Sequence, residues 1–318
     1  MTTALPPWPL FGLAEDPRPA LSEARRGGHF AALATIVALG GGGPRPIGTQ
    51  MVIAKSGLSG FLSGGCLEAD VAAHAATVLA GGPPSRLVYG QGSPWPDIRL
   101  LCGARIEILL ERIAPDDAAI AELLEFMEAR TPAIWLSDGD RRVCVPPATA
   151  PSPWSGAYRK VFEPVARLIV LGSDPTALAI ASLGAQSGCE TTLVRPRGPS
   201  TPPPLAGVAY RRDEPARALK ALGLDRWTAV AVATHDADLD HDALAVALPS
   251  KAFYVGALGA RRRLSERKSG LRREGLNEDD IARLHAPIGL DIGGKAPWEI
   301  AIAVMAQITA LRCAQSAA

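Results

Sequence analysis

One thiol in this chain follows two glycines, in Gly64-Gly65-Cys66-Leu67-Glu68. Glycines let the backbone bend sharply and leave nothing bulky beside the sulfur. The residues from Leu67 to Leu79 are good helix formers, and Glu68 and Asp70 fall in the first turn, so a helix is predicted to start here. A thiol at a helix N-terminus lies in a positive local field that favours thiolate, the form that attacks electrophiles and binds metals. Glu68 and Asp70 oppose that field, and the position also suits a small buried apolar residue. Cys102-Gly103 is a second glycine-flanked thiol, whereas Cys144, Cys189 and Cys313 lack such settings and are expected to pack. Arg45 sits in the stiff loop Gly43-Pro44-Arg45-Pro46-Ile47-Gly48, where a planar guanidinium suits a phosphate or carboxylate, or is simply an exposed turn residue.

The second half offers four more polar clusters. Thr234-His235-Asp236 closes an apolar strand, and Asp238, Asp240 and His241 follow. Such a group can hold a metal or act as a general base, or it can cap the next helix, with Asp240 as N-cap. Gly256 and Gly259 punctuate a strand end just before Arg261-Arg262-Arg263, a combination suited to cradling an anion. Lys295 precedes a helix beginning near Pro297, where it can meet a phosphate or pair with Glu299. The turn Gly172-Ser173-Asp174-Pro175-Thr176-Ala177 stands where a dinucleotide fingerprint belongs, but keeps only its first glycine and its small closing residue. Asp174 replaces the glycine that lets backbone approach a diphosphate, and Arg195 replaces the acidic ribose partner.

These groups need scaffolds, and 318 residues suffice for two domains of about 150 residues each. The 47% hydrophobic and 20% charged content is that of an ordinary globular chain. With 33 basic against 32 acidic side chains, nothing favours nucleic acid or an anionic membrane as a partner. No apolar run approaches the roughly 18 residues needed to span a bilayer. Met1 to Pro9 lacks the basic region of a signal peptide. Five scattered cysteines without a C-x-x-C pair argue against disulfides and structural zinc, and point to a cytoplasmic location.

The predicted fold class is α/β, with a small N-terminal α/β domain followed by a Rossmann-like, doubly wound parallel-sheet domain. Residues 1–145 carry a helix and strand from Leu21 to Leu39, short strands at Gln50–Ala54, Arg86–Tyr89 and Ala104–Glu111, and a helix over Asp116–Arg130. Four prolines between Pro146 and Pro153 mark residues 146–163 as a linker. Residues 164–318 alternate strands at Leu168–Leu171, Thr191–Val194, Ala229–Ala233 and Ala252–Val255 with helices at Pro175–Ser187, Asp242–Leu248, Arg261–Glu274 and Pro297–Leu311.

Taken in order, these stretches resemble the xanthine dehydrogenase accessory protein family (XdhC/CoxI). The resemblance rests on Gly42-Gly43-Pro44-Arg45-Pro46-Ile47-Gly48, Gly64-Gly65-Cys66-Leu67-Glu68 and Cys102-Gly103, then on Thr234-His235-Asp236, Phe253 to Gly259, and His285-Ala286-Pro287-Ile288-Gly289-Leu290 through Ile300-Ala301. It runs from about residue 20 to 312. It implies an accessory factor, not a metabolic enzyme. Such a factor binds molybdenum cofactor in its molybdopterin form, protects it, helps sulfurate it and inserts it into a xanthine dehydrogenase-type molybdoenzyme. A cysteine desulfurase is an expected partner, and an apolar C-terminal helix makes a homodimer plausible. On this reading Cys66 is the metal contact and Cys102 the second thiol. Gly64, Gly65, Glu68, Arg45, His235, Asp236, Gly256, Gly259, Arg261 and Lys295 complete the cofactor-binding set. Asp174 and Arg195 depart from the family pattern and disfavour nucleotide binding, NAD(P) included, although an arginine at position 195 can in principle meet a 2′-phosphate. An NAD(P)-dependent oxidoreductase, or a docking protein that binds the client without the cofactor, are the alternatives.

Overall fold

The computed structural model describes residues 5–41, 43–65, 67–93 and 105–317. The chain divides into two compact units between Pro164 and Val165.

The first unit contains α1 (Arg18–Arg26), β1 (Ala31–Gly40), β2 (Gln50–Ala54), β3 (Gly57–Gly60), α2 (Glu68–Leu79), β4 (Ser85–Gly90), β5 (Arg105–Ile113), α3 (Ala118–Glu128), β6 (Ala133–Ser137), β7 (Arg142–Val145) and β8 (Tyr158–Phe162). Among the described residues, one antiparallel sheet runs β3-β2-β1-β5-β4 and a second runs β7-β6-β8. Strand side chains alternate between faces, so β1 feeds two cores. Ala32, Ala34 and Ile36 pack with Met51, Ile53 and the α2 residues Val71, Ala75 and Val78. Leu33, one residue out of step, packs with Val52, Leu109 and Trp135, and with Ile120 and Leu123 of α3. Each fully buried Leu or Ile of this kind contributes about 2 kcal/mol.

The segment expected to be a linker is not one throughout. Tyr158–Phe162 pairs antiparallel with Ala133–Ser137, with Lys160 opposite Trp135, so residues 158–162 belong to a sheet of the first unit. The prolines at 146, 147, 151 and 153 lie in the loop between β7 and β8, where no ladder amide is needed. The alternation in β8 is disguised, because Tyr158 and Phe162 are buried while Val161 is exposed.

The second unit contains β9 (Arg167–Gly172), α4 (Pro175–Gln186), β10 (Glu190–Val194), β11 (Val208–Arg211), α5 (Pro215–Leu222), β12 (Thr228–Ala233), α6 (Ala237–Ala247), β13 (Tyr254–Ala257), α7 (Leu264–Arg273), α8 (Glu278–Ala282), β14 (Leu284–His285) and α9 (Pro297–Ala317). All described pairings in its sheet are parallel, in the order β11-β10-β9-β12-β13-β14. Helices α4 and α9 help cover one face, over Leu168, Val170 and Ala231. Helices α5, α6, α7 and α8 help cover the other, over Ile169, Leu171, Val230 and Val232. This is the doubly wound Rossmann arrangement the sequence predicts. Its strand order reverses between β9 and β12, where ligand crevices of such sheets open at the carboxyl ends.

Candidate functional site

The glycine turn of the first unit is built around Glu68. Gly64 and Gly65 adopt φ values of 113° and 99°, the left-handed region open to glycine, and both face solvent. Behind them the buried Glu68 carboxylate gathers five donors. Its Oε1 accepts from the amides of Leu62 at 2.9 Å and Ser63 at 2.7 Å. Its Oε2 accepts from the Ser63 hydroxyl at 2.9 Å and the amides of Gly65 at 3.0 Å and Leu67 at 3.2 Å. Burial raises the pKa of this carboxyl, but the amides of Ser63 and Leu62 and the Ser63 hydroxyl outweigh it and hold the group below its ordinary value. Glu68, which the sequence reading places in the cofactor-binding set, has its carboxylate engaged by the donors of its own turn. Asp70, two residues on, accepts from the Tyr89 hydroxyl at 2.6 Å. Cys66 and Cys102 lie outside the described residues, as do Gly42 and the side chain of Arg261.

Arg45 is half-buried, with Nη2 donating to the exposed Glu15 carboxylate at 2.8 Å and Nε making no hydrogen bond. The far end of its loop is held by Lys160, whose Nζ donates to the Gly48 carbonyl at 2.6 Å and to Gln50 Oε1 at 2.8 Å. Burial pulls the Lys160 ammonium down to about 8. Gln50 Nε2 also donates to Thr35 Oγ1 at 3.1 Å and to the Tyr158 hydroxyl at 3.3 Å, so a polar chain supports the loop from within.

In the second unit, the strand-order reversal places Gly172 beside Ala233. A Cβ on Gly172 would lie 2.5 Å from the Ala233 carbonyl oxygen and 2.6 Å from Ala177 Cβ, so glycine is required for this close approach. Asp174 caps α4, Oδ1 accepting from the Ala177 amide at 2.9 Å. Its Oδ2 accepts from His235 Nε2, also at 2.9 Å, across 61 residues of sequence. Burial raises the Asp174 pKa, and the Ala177 amide and His235 more than reverse it, so the carboxyl is held below its ordinary value. His235 itself has φ 61°, unusual for a non-glycine residue, and its side chain is 60% exposed.

The other members of the His235 cluster are dispersed. Asp236, not Asp240, is the N-cap of α6, accepting from the amides of Asp238 and Leu239. Asp240 is buried and accepts from Thr234 Oγ1 at 2.6 Å and Arg267 Nη2 at 2.8 Å, while His241 pairs with Glu274. Among the described residues no group of three or more His, Cys, Asp or Glu side chains is placed to hold a metal. Gly256 serves packing: a Cβ there would lie 2.5 Å from the Tyr254 hydroxyl and 2.7 Å from Ile288 Cγ1. Gly259 is exposed with φ 151°, next to the Arg267 guanidinium. Arg267 donates to the Leu258 carbonyl and so ties that loop to α7. Glu299 accepts from the backbone amides of Lys295 and Ala296 at 2.9 Å each, leaving Lys295 as an exposed side chain at the start of α9.

Sequence reasoning singled out both Glu68 and Asp174 but not the partners that hold them. Glu68 was legible as a first-turn acid, but its five donors come from a turn that closes only in three dimensions. The pairing of Asp174 with His235 had no local signal at all.

Comparison with known proteins covers both units. Residues 24–90 match the model of the XdhC and CoxI family, and residues 168–308 match that of the XdhC Rossmann domain. The chain is 31% identical over 296 residues to the molybdenum cofactor insertion chaperone PaoD of Escherichia coli (strain K12), covering 92% of this chain and 87% of the relative. It is 25% identical over 315 residues to a probable xanthine dehydrogenase subunit of Bacillus subtilis (strain 168), covering 89% of this chain and 93% of that relative. A crystal structure of a protein described as a xanthine dehydrogenase, from Bacillus halodurans, superposes with a TM-score of 0.73 at 24% identity, covering 93% of this chain and 96% of that one, and shows a shared fold. With the two-unit fold, both family matches and a relative of this identity along nearly its whole length, the chain belongs to the XdhC and CoxI family.

Proposed function

We propose that this chain is an accessory protein that holds molybdenum cofactor as cargo and delivers it to a molybdoenzyme of the xanthine dehydrogenase type. The observation that carries this reading is the similarity to an insertion chaperone along 92% of the chain, through both units. The available thiols agree with it. Molybdenum and its terminal sulfur are soft, and thiolate is their matching ligand. Burial pushes the Cys144 thiol up to about 12 and raises that of Cys189, so both stay protonated and serve packing. Among the glycine-flanked thiols, Cys66 is the proposed metal contact and Cys102 the second.

The cargo's phosphate needs a cation or free amides. The amides of Leu62, Ser63, Gly65 and Leu67 are committed to Glu68, and Arg45 takes this role, exchanging the exposed Glu15 carboxylate for the phosphate. Sulfuration of the held cofactor, with a cysteine desulfurase as sulfur donor, belongs to the same reading. So does a cytoplasmic location, where thiols stay reduced.

Gentle purification followed by molybdenum and pterin analysis tests the proposal. The wild-type protein retains both, Cys66→Ser loses retention by at least about tenfold, and the exposed-thiol control Cys313→Ser does not. Equal retention by Cys66→Ser removes that thiol from the site. A protein that captures the molybdoenzyme but never the cofactor is a docking protein instead.

A further inference from the structure

The crevice between β9 and β12 retains part of what a dinucleotide site requires. The strand order places it at the reversal point, Gly172 allows close packing, and Ala177 closes the turn with a small side chain. In such folds the diphosphate lies against the first crossover helix, and the middle glycine gives it room. Here that position is filled. Asp174 turns one carboxylate oxygen onto the Ala177 amide and the other onto His235, so the protein supplies its own anion and engages the neighbouring imidazole.

We propose that Asp174, bridged to His235, is the specificity-determining residue of this crevice and closes its diphosphate position against nicotinamide and related dinucleotides. The inference concerns the second unit alone and holds whether or not the chain carries molybdenum cofactor. A ligand diphosphate entering this position meets a fixed carboxylate where it needs a donor. It must take the Ala177 amide from that carboxylate and also break the bond to His235. Thr234 is anchored by Asp240, and Asp240 by Arg267, so the strand end carrying His235 is held in place.

Asp174 itself has φ −92° and ψ 172°, ordinary extended backbone, so replacing it does not require a special conformation. Arg195 ends the second strand, where an acidic residue would meet a ribose hydroxyl and an arginine can meet a 2′-phosphate. NADP⁺ is therefore the probe of choice.

Calorimetric titration of the full chain with NADP⁺ tests the proposal. The wild-type protein shows no saturable binding at millimolar ligand. Asp174→Gly gains binding, tightening the dissociation constant by at least about tenfold over the wild-type limit. Asp174→Asn keeps a capping oxygen, removes the charge and turns the other oxygen into an N–H donor; it gains binding as well and decides the matter if the glycine variant does not fold. Adding His235→Ala to either variant weakens the new binding severalfold, because the freed imidazole becomes a phosphate partner. Failure of folded Asp174→Gly and Asp174→Asn to bind NADP⁺ overturns the proposal, as does micromolar binding by the wild-type protein. Unchanged affinity on adding His235→Ala overturns the role given to that residue.

Discussion

Glu68 and Asp174 each sit at the start of a helix, and each turns a carboxylate onto backbone N–H, one in either unit. Their surroundings make them different devices. Glu68 is fully buried and takes five donors from Leu62, Ser63, Gly65 and Leu67, so it organises the backbone around it. Asp174 is about a quarter exposed and is held by one amide and the Thr176 side chain of its own helix and by one solvent-facing imidazole. An anion with that many internal donors fixes the conformation of its turn. One shared between a cap and an exposed histidine can exchange partners. Local sequence does not separate the two cases, because both are an acid near a glycine at a helix start.

The largest effect is expected at Glu68. Glu68→Gln puts an amide group against buried N–H donors and should cost about 3 kcal/mol, read as a lower urea midpoint with unchanged slope. The wild-type pH profile carries the matching sign. A carboxyl held below its ordinary value contributes stability that is complete above the unfolded pKa and is lost as pH falls through the folded one. The advantage of wild type over Glu68→Gln should therefore shrink on acidification below about pH 4. A cost under about 1 kcal/mol would place Glu68 with Asp174 and dissolve the contrast.

A smaller loss is expected at Asp174. Asp174→Ala removes the α4 cap and should cost about 1 kcal/mol. His235→Ala should change stability by less than about 0.5 kcal/mol, since an exposed pair contributes little and the strained backbone loses no packing. Thermal melts of the two variants, beside Glu68→Gln, order the three positions directly.

The smallest expected effect sharpens the comparison from the cationic side. Lys160 is a half-buried amine held by the Gly48 carbonyl and Gln50, and its pKa is lowered to about 8 by burial. Between about pH 8 and the ordinary lysine value, the unfolded chain binds more protons than the folded one, so stability rises with pH across that window. Lys160→Met should flatten this alkaline rise relative to wild type, measured as the difference between denaturant midpoints along the pH series. A parallel slope in the two proteins would mean that burial does not depress the Lys160 ammonium in the folded state.

Much of the scaffold was legible because its signals are local. The unbroken apolar run Leu168–Leu171 announces a parallel strand buried on both faces, and Pro175 and Gly188 bracket the helix that follows. The strand Tyr158–Phe162 was hidden by its inverted polarity. Lys160 faces inward to meet Gln50, and Val161 faces out, so the apolar alternation is broken within five residues. The prolines just before it completed the disguise.

The candidate site divides along the same line. The sequence alone determined which chemistry is present: two glycine-flanked thiols, an arginine between prolines, and a Rossmann turn with aspartate in the place of glycine. It also determined the order of motifs that identifies the family, since spacing is a property of the chain. Only the tertiary structure decided which charges are committed internally. Glu68 meets amides from a turn behind it, Asp240 meets Arg267 across 27 residues, and Asp174 meets His235 across 61. Hydrogen bonds and ion pairs act over a few ångströms, and which groups come that close is set by sheet order and packing, not by position along the chain.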